Sequence, residues 1–345
     1  MRIALDATYS LGDKLSGVGV YCREMLAGLA RAHPEVRFEF CYRPHRWLRS
    51  WTTPLPPNCR RRLLHEPLVP RSADLFHGLN QRLPAVPLRR AVTTFHDLFV
   101  LTGEYSTPEF RRRFQQQARH AAANSALIVT VSEFTARQVE QLLGVERARL
   151  RVIHHGVRLN PEDSGVAREN LVLHVGAIQR RKNIARLVEA FARLGPEWRL
   201  ALAGSPGFGA EEILHHIDAS PARDRIQVLG YVSEPALEDL YTRARILAFA
   251  SLDEGFGMPV LEAMAHGVPV VTSNRSALPE VVGDAALLVD PHAVEALAAA
   301  LRSLATQEDL RRDLIARGRR RAAAFSWDTA VARTWAVYQE LMRGV

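Results

Sequence analysis

The chain is poor in the features that would assign it to several common classes. Cysteine is scarce: Cys22, Cys41 and Cys59 are three in 345 residues. Their odd number and lack of metal-ligand spacing exclude a disulfide framework or zinc module and read as a reduced, cytoplasmic protein. No apolar run approaches the ~20 residues that a spanning helix needs. Residues 1–6 carry charge near both ends and read as a short strand rather than a signal peptide. No Asp-x-Asp triplet is present to hold a divalent cation, so no metal is expected. Gly17 and Gly19 suggest a phosphate loop, but the third glycine of the dinucleotide fingerprint is missing, Cys22 standing in its place, and a dehydrogenase loses its main support. Ser132 lacks a Gly-x-Ser-x-Gly elbow and reads as a helix cap, not a nucleophile.

What is present suits two domains with ample cores, at 47% hydrophobic residues and a net charge of +8. The charge is uneven. Residues 1–160 hold 24 Lys+Arg against 13 Asp+Glu, and the remainder is slightly acidic. A basic first half could face nucleic acid or an anionic membrane surface. No nucleic-acid reading motif or stacking platform accompanies it, so nucleic acid is not expected as a partner. Residues 43–71 read as an irregular stretch rich in Arg, Trp and Pro: either a solvated loop, or an acceptor-side surface where Trp47 and Trp51 sit at an interface and Arg43, Arg46, Arg49 and Arg60 to Arg62 meet lipid phosphate.

The chain is organised around residues 251–267. An apolar run, 246–250, reads as a buried parallel strand. Glu254-Gly255-Phe256-Gly257 follows, then a helix with Pro259 suited to its first position and Gly267 to its left-handed end. The N–H groups of Val260 and Leu261 would point outward there, a seat for an anion such as diphosphate. Glu254 lies at the strand's C-terminal end and Glu262 one turn into the helix, leaning back toward its start.

Other strands are read at 37–42, 74–78, 91–95, 127–132, 171–175, 200–203, 226–229 and 268–273, alternating with amphipathic helices. Between 171–175 and a helix from 184 lie Arg181, Lys182 and Asn183. Asn183 is a good N-cap. Two cations before a helix start oppose its dipole, which makes sense if an anion sits between. Residues 276–280 read as a capped turn.

The run Gly-Phe-Gly-Met-Pro-Val-Leu-Glu-Ala-Met-Ala-x-Gly-x-Pro-Val-Val, with Arg-Lys-Asn and Thr-x-His-Asp-Leu at 94–98, closely resembles the retaining family 4 glycosyltransferases, over nearly the whole chain. The resemblance implies the α/β GT-B fold: two Rossmann-like parallel-sheet domains facing each other across a cleft. The N-terminal acceptor domain would be 1–157, the linker 158–168, the nucleotide-sugar donor domain 169–327, and 328–345 a terminal helix returning to the first domain. It further implies that His96 faces the donor sugar, with Asp97 orienting its ring, and that Gly17 and Gly19 line the donor diphosphate. Arg181, Lys182, Gly257, Met258, Val260 and Leu261 would bind that diphosphate. Glu262 would take the ribose diol, Glu254 the sugar or developing positive charge, and Gly230 and Tyr231 would frame the base through backbone groups.

The implied reaction moves a hexose, with mannose from GDP-mannose the first choice, from a nucleotide diphospho-sugar to a glycan or lipid-linked hydroxyl, with retention and without a cofactor. Bacterial mannosyltransferases that extend lipid-linked surface polysaccharides are the most similar members. The expected location is cytoplasmic, peripheral on the inner face of the membrane. Two other classes stay open: a GT-B sugar-nucleotide epimerase, and a non-catalytic sugar-nucleotide binding module.

Overall fold

The computed structural model describes residues 1–66, 68–159 and 167–343. Of the expected linker, residues 160–166 lie outside the described residues. The chain divides into two compact units: Met1–Thr102, Thr107–Gly156 and Ser326–Val345 form one, Gly103–Ser106 and Val157–Phe325 the other.

In the first unit, β1 (Arg2–Asp6), β2 (Arg37–Tyr42), β3 (Cys59–Leu63), β4 (Leu75–Gly78), β5 (Ala91–Phe95), β6 (Leu127–Thr130) and β7 (Leu150–Val152) form one sheet. Its order is β3-β2-β1-β4-β5-β6-β7, every pairing parallel. Parallel strands are covered by crossover helices on both faces, which is why β4, β5 and β6 are buried throughout. Alternation divides the apolar residues between two cores: Ile3 and Leu5 enter one with Phe38, and Ala4 enters the other with Phe76 and Phe95.

Helix Trp327–Arg343 supplies Ala330, Val331, Val337 and Tyr338 to the first of these cores. Gly28 lies against Val331, leaving no room for a side chain there. A buried polar chain ties this helix to the sheet. Tyr338 Oη lies 2.6 Å from His77 Nδ1, His77 Nε2 lies 2.9 Å from Thr94 Oγ1, and Tyr21 Oη lies 3.0 Å from the same Oγ1.

Two expectations are corrected here. Residues 43–71 are not irregular throughout, because they include helix Pro44–Ser50 and the edge strand β3. A run of arginines hides that strand; Arg61 bonds the Ser50 carbonyl at 2.9 Å and lies over the Trp51 ring, and Arg62 pairs with buried Glu39 at 3.2 Å. Gly17 and Gly19 occupy no loop either. Helix Gly17–Ala32 begins at Gly17, and the capping Ser16 side chain accepts the Gly19 N–H. A Cβ at position 19 would sit tightly, 3.0 Å from the Tyr9 carbonyl and from the Leu15 side chain.

In the second unit, β8 (Leu171–Val175), β9 (Arg199–Ala203), β10 (Ile226–Gly230), β11 (Ile246–Phe249), β12 (Val270–Ser273) and β13 (Leu287–Val289) lie in the order β10-β9-β8-β11-β12-β13. All pairings are again parallel. The chain reverses direction across the sheet between β8 and β11, so the loops leaving those strands diverge and open a crevice at their C-terminal edge. Many arginines serve the fold by closing carbonyl ends. Arg168 donates to the Tyr241, Thr242, Ala244 and His266 carbonyls, and Arg225 to those of Leu194, Gly195 and Trp198.

Candidate active site

The two loops at the second unit's switch point carry the residues that the sequence singles out. The loop after β8 turns through Arg180–Lys182 to Asn183, and the loop after β11 runs to the Gly257 start of helix Met258–Ala265. They are laced together: Leu252 N–H donates to the Arg181 carbonyl at 2.7 Å, and Arg181 Nη1 to the Asp253 carbonyl at 2.8 Å. At their meeting point Lys182 Nζ lies 2.5 Å from Glu254 Oε1 and Arg181 Nη1 lies 2.9 Å from Oε2. All three side chains are nearly buried, at 8%, 12% and 9% exposure for Lys182, Arg181 and Glu254.

Lys182 is one of two lysines in the sequence, the other being Lys14. Its stem crosses Gly176, where φ is +149° and any side chain would meet it, and its ammonium stands 4.5 Å from the Phe249 ring centre. Burial pushes the Glu254 carboxyl up, but Arg181 and Lys182 together outweigh burial and bring it down to about 2. The carboxylate is therefore ionised at any physiological pH. Its backbone is fixed as well: Glu254 N–H donates to Ser276 Oγ at 3.1 Å, and its carbonyl accepts from Ala277 N–H at 3.2 Å. Ser276, at φ +57°, thus holds the Glu254 loop and does not cap helix Leu278–Val282.

Asn183 precedes its helix as expected but does not cap it. It adopts the left-handed conformation, and its Nδ2 donates to the Ala250 and Pro291 carbonyls at 3.1 and 2.7 Å, joining the two loops from beneath. Helix Met258–Ala265 starts one residue earlier than Pro259 suggests. The Val260 N–H is not outward-facing, because it donates to the Gly257 carbonyl at 3.0 Å. Gly257, at φ +112°, makes the turn. On this helix, Glu262 Oε2 accepts from the buried Tyr241 hydroxyl at 2.8 Å, a partner that no sequence signal announces. Burial raises the Glu262 carboxyl, and the tyrosine bond partly offsets that rise.

Gly230, at φ +66°, ends β10, its carbonyl accepting from Gly204 N–H at 2.7 Å, and Tyr231 follows it. In the first unit, His96 follows β5. Its Nε2 lies 3.0 Å from the Leu79 carbonyl and must donate to it. That carbonyl holds the ring at Nε2. Burial lowers His96 to about 4, so the imidazole is neutral with Nδ1 as acceptor. His155 stacks beside it at 5.4 Å between ring centres.

Two doubly wound parallel sheets, the second bearing a carboxylate between two cations at its switch point, define a GT-B glycosyltransferase. Residues 15–160 match the family model "Glycosyltransferase Family 4", and residues 159–321 match "Glycosyl transferases group 1". O-antigen chain mannosyltransferase B of Escherichia coli is 34% identical over 284 residues, 77% of this chain and 74% of that protein. MMP alpha-(1->4)-mannosyltransferase of Mycolicibacterium hassiacum is 33% identical over 243 residues, and the match spans 58% of its length. Sucrose-phosphate synthase from Thermosynechococcus elongatus shares the fold, with a TM-score of 0.81 over the whole of both chains at 23% identity. The chain belongs to the family 4 glycosyltransferases.

Proposed function

We propose that this glycosyltransferase moves mannose from a nucleotide diphospho-sugar, GDP-mannose first, to a hydroxyl of a glycan or lipid-linked acceptor, with retention and without a metal. The observation that carries the reading is the Arg181–Glu254–Lys182 arrangement. In the resting enzyme the Glu254 carboxylate supplies the negative charge that the two cations require. A donor diphosphate brings that charge itself, so the cations pass to the leaving group and Glu254 turns to the sugar. Preorganised cations in a nearly dry site stabilise charge that develops as the anomeric bond breaks, each such contact typically contributing ~3–4 kcal/mol. The mannosyltransferase names of the two relatives above support the choice of sugar.

Glu262, held at one oxygen by Tyr241, offers the other to the ribose diol. His96, neutral, accepts from a sugar hydroxyl through Nδ1 rather than protonating anything. Retention, with no carboxylate of the first unit singled out by the sequence as a nucleophile, implies a same-face displacement, in which the departing phosphate takes the acceptor's proton. A thermal-shift panel with GDP, UDP, dTDP and their sugars tests the reading. A cognate nucleotide at a hundredfold excess over its Kd stabilises by ~2.7 kcal/mol. No shift with any of them defeats the proposal, and epimerised free donor without an acceptor would transfer it to the epimerase class.

Peripheral contact with an anionic bilayer has its own support. Leu48 and Trp51, at the end of helix Pro44–Ser50, are 82% and 61% exposed; Arg46 and Arg49 lie on the same helix, and the Arg61 guanidinium lies over the Trp51 ring. Exposed apolar tips ringed by guanidinium groups suit a headgroup layer. No helix among the described residues is long and apolar enough to cross a membrane. Co-sedimentation with phosphatidylglycerol vesicles, lost in a Leu48→Ser/Trp51→Ser variant, is the expected result.

A further inference from the structure

A cavity of about 470 Å³ lies in the second unit, beside the cluster just described. One wall is the short segment Gly103–Ser106, which comes from the first half of the sequence but packs within the second unit and contributes Glu104 and Tyr105. Arg180 and Arg186 from the loop after β8 and its helix also line it, with Glu212 and His216 from helix Ala210–Asp218. Ile184, Ile213 and Leu252 give it apolar floor.

The charges in this wall cancel. Two guanidinium groups and two carboxylates line it; Arg180 holds Glu212 by both oxygens, at 2.6 and 2.8 Å, and Arg186 donates to Asn183 Oδ1 at 3.0 Å. A diphosphate would find no net attraction here. A neutral polyol would, because each hydroxyl both donates and accepts and can bond either sign of group, while the apolar face of a sugar ring packs on an aromatic side chain. Leu252 joins this wall to the reaction centre, since its N–H donates to the Arg181 carbonyl. The Tyr105 phenol is also near enough to Asp253 and Arg181 for both charges to act on it.

We propose that this cavity is an acceptor subsite that seats one neutral hexose unit of a glycan against the Tyr105 ring, next to the donor position. The proposal rests on the transferase reading above. Tyr105 and Glu212 are then specificity residues: they hold the acceptor sugar and leave the donor untouched.

The test is ligand-observed NMR of α-mannobiose with wild type, Tyr105→Ala and Glu212→Gln, each saturated with GDP, alongside the thermal shift that GDP produces. We expect mannobiose to bind the wild type and to weaken about tenfold in Tyr105→Ala, the equivalent of ~1.4 kcal/mol. It should weaken in Glu212→Gln as well, with the GDP shift unchanged in all three. Equal binding to all three proteins, or none to the wild type, overturns the subsite. So does a variant that loses its GDP shift along with the sugar. A wild type without a thermal shift for any nucleotide defeats the transferase reading instead, and mannobiose then judges the cavity alone.

Discussion

Lys182 and Glu254 stand 72 positions apart in sequence, yet Nζ and Oε1 meet at 2.5 Å in a nearly dry pocket, with Arg181 on the other carboxylate oxygen at 2.9 Å. Removing one partner of a buried ion pair leaves an uncompensated charge and costs about 3–5 kcal/mol. Glu254→Gln should therefore lower stability by that order and reduce kcat by about 10²–10³. If a diphosphate takes over the carboxylate's electrostatic role, GDP must raise the melting temperature more in Glu254→Gln than in the wild type. An equal or smaller shift in the variant would contradict the exchange of anions.

The Tyr241–Glu262 bond makes a milder prediction. Tyr241→Phe removes the hydroxyl that fixes Glu262 Oε2. The loss of one hydrogen bond to a charged group is about 1.5–3 kcal/mol. Because the diol it would orient is remote from the bond being broken, the donor KM should rise about tenfold or more while kcat stays near wild type. A kcat effect without a KM effect would move Glu262 from the nucleotide to the chemistry.

Acid should separate the two units. Burial holds His77 near 3 and His96 near 4 and lowers His155 well below the ordinary 6.5, all three in the first unit; the second unit has His174 near 4. Below 6.5 the unfolded chain takes up protons that these buried rings refuse. Stability present above that pH is lost as pH falls, by about 1.4 kcal/mol per pH unit for each histidine. Glu254 is lowered as well, so its contribution is complete above 4.5 and is lost as pH falls toward 2. Between pH 6.5 and 4.5 the first unit should lose stability at least three times as steeply as the second, where the raised Glu262 carboxyl takes up its proton in the folded state and opposes the loss from His174. Trp47, Trp51, Trp327 and Trp335 report the first unit and Trp198 the second, so urea titrations of the Trp198→Phe variant, set against hydrogen exchange in β8 to β11, would measure the difference. Parallel slopes would refute it.

The central parallel strands were legible because both faces of β4, β5, β6, β8, β11 and β12 are buried, and the candidate site because a helix start, a glycine turn and two cations cannot coexist comfortably without an anion. What escaped was whatever depends on residues far apart in sequence. The arginines of β3 look like a solvated run because the strand is an edge, and its register against Phe38 to Tyr42 is written in neither segment. Asn183 carries a capping residue's signature, but its amide is taken by two carbonyls, 67 and 108 positions away. Ser276 likewise reads as a cap and instead braces Glu254. Local propensity identifies these residues as hydrogen-bonding, and only tertiary structure supplies the partner.

The buried chain from Tyr338 through His77 and Thr94 to Tyr21 yields the last prediction. His77 is neutral, so one ring nitrogen donates and the other accepts. The tyrosine and threonine hydroxyls can each donate or accept and so adapt to either tautomer of the ring, but deleting any one still strands a buried polar atom on its neighbour. Tyr338→Phe keeps the ring packed among Val337 and its neighbours but leaves His77 Nδ1 without its 2.6 Å partner. The cost should be about 1–3 kcal/mol, visible as a lower urea midpoint with an unchanged slope. Because the lost bond secures the terminal helix, exchange of its amides should accelerate in the same variant while those of β8 to β11 stay protected. Should Tyr338→Phe prove as stable as the wild type, the helix is held by apolar packing alone, and Val331→Ala, beside Gly28, becomes the change that loosens it.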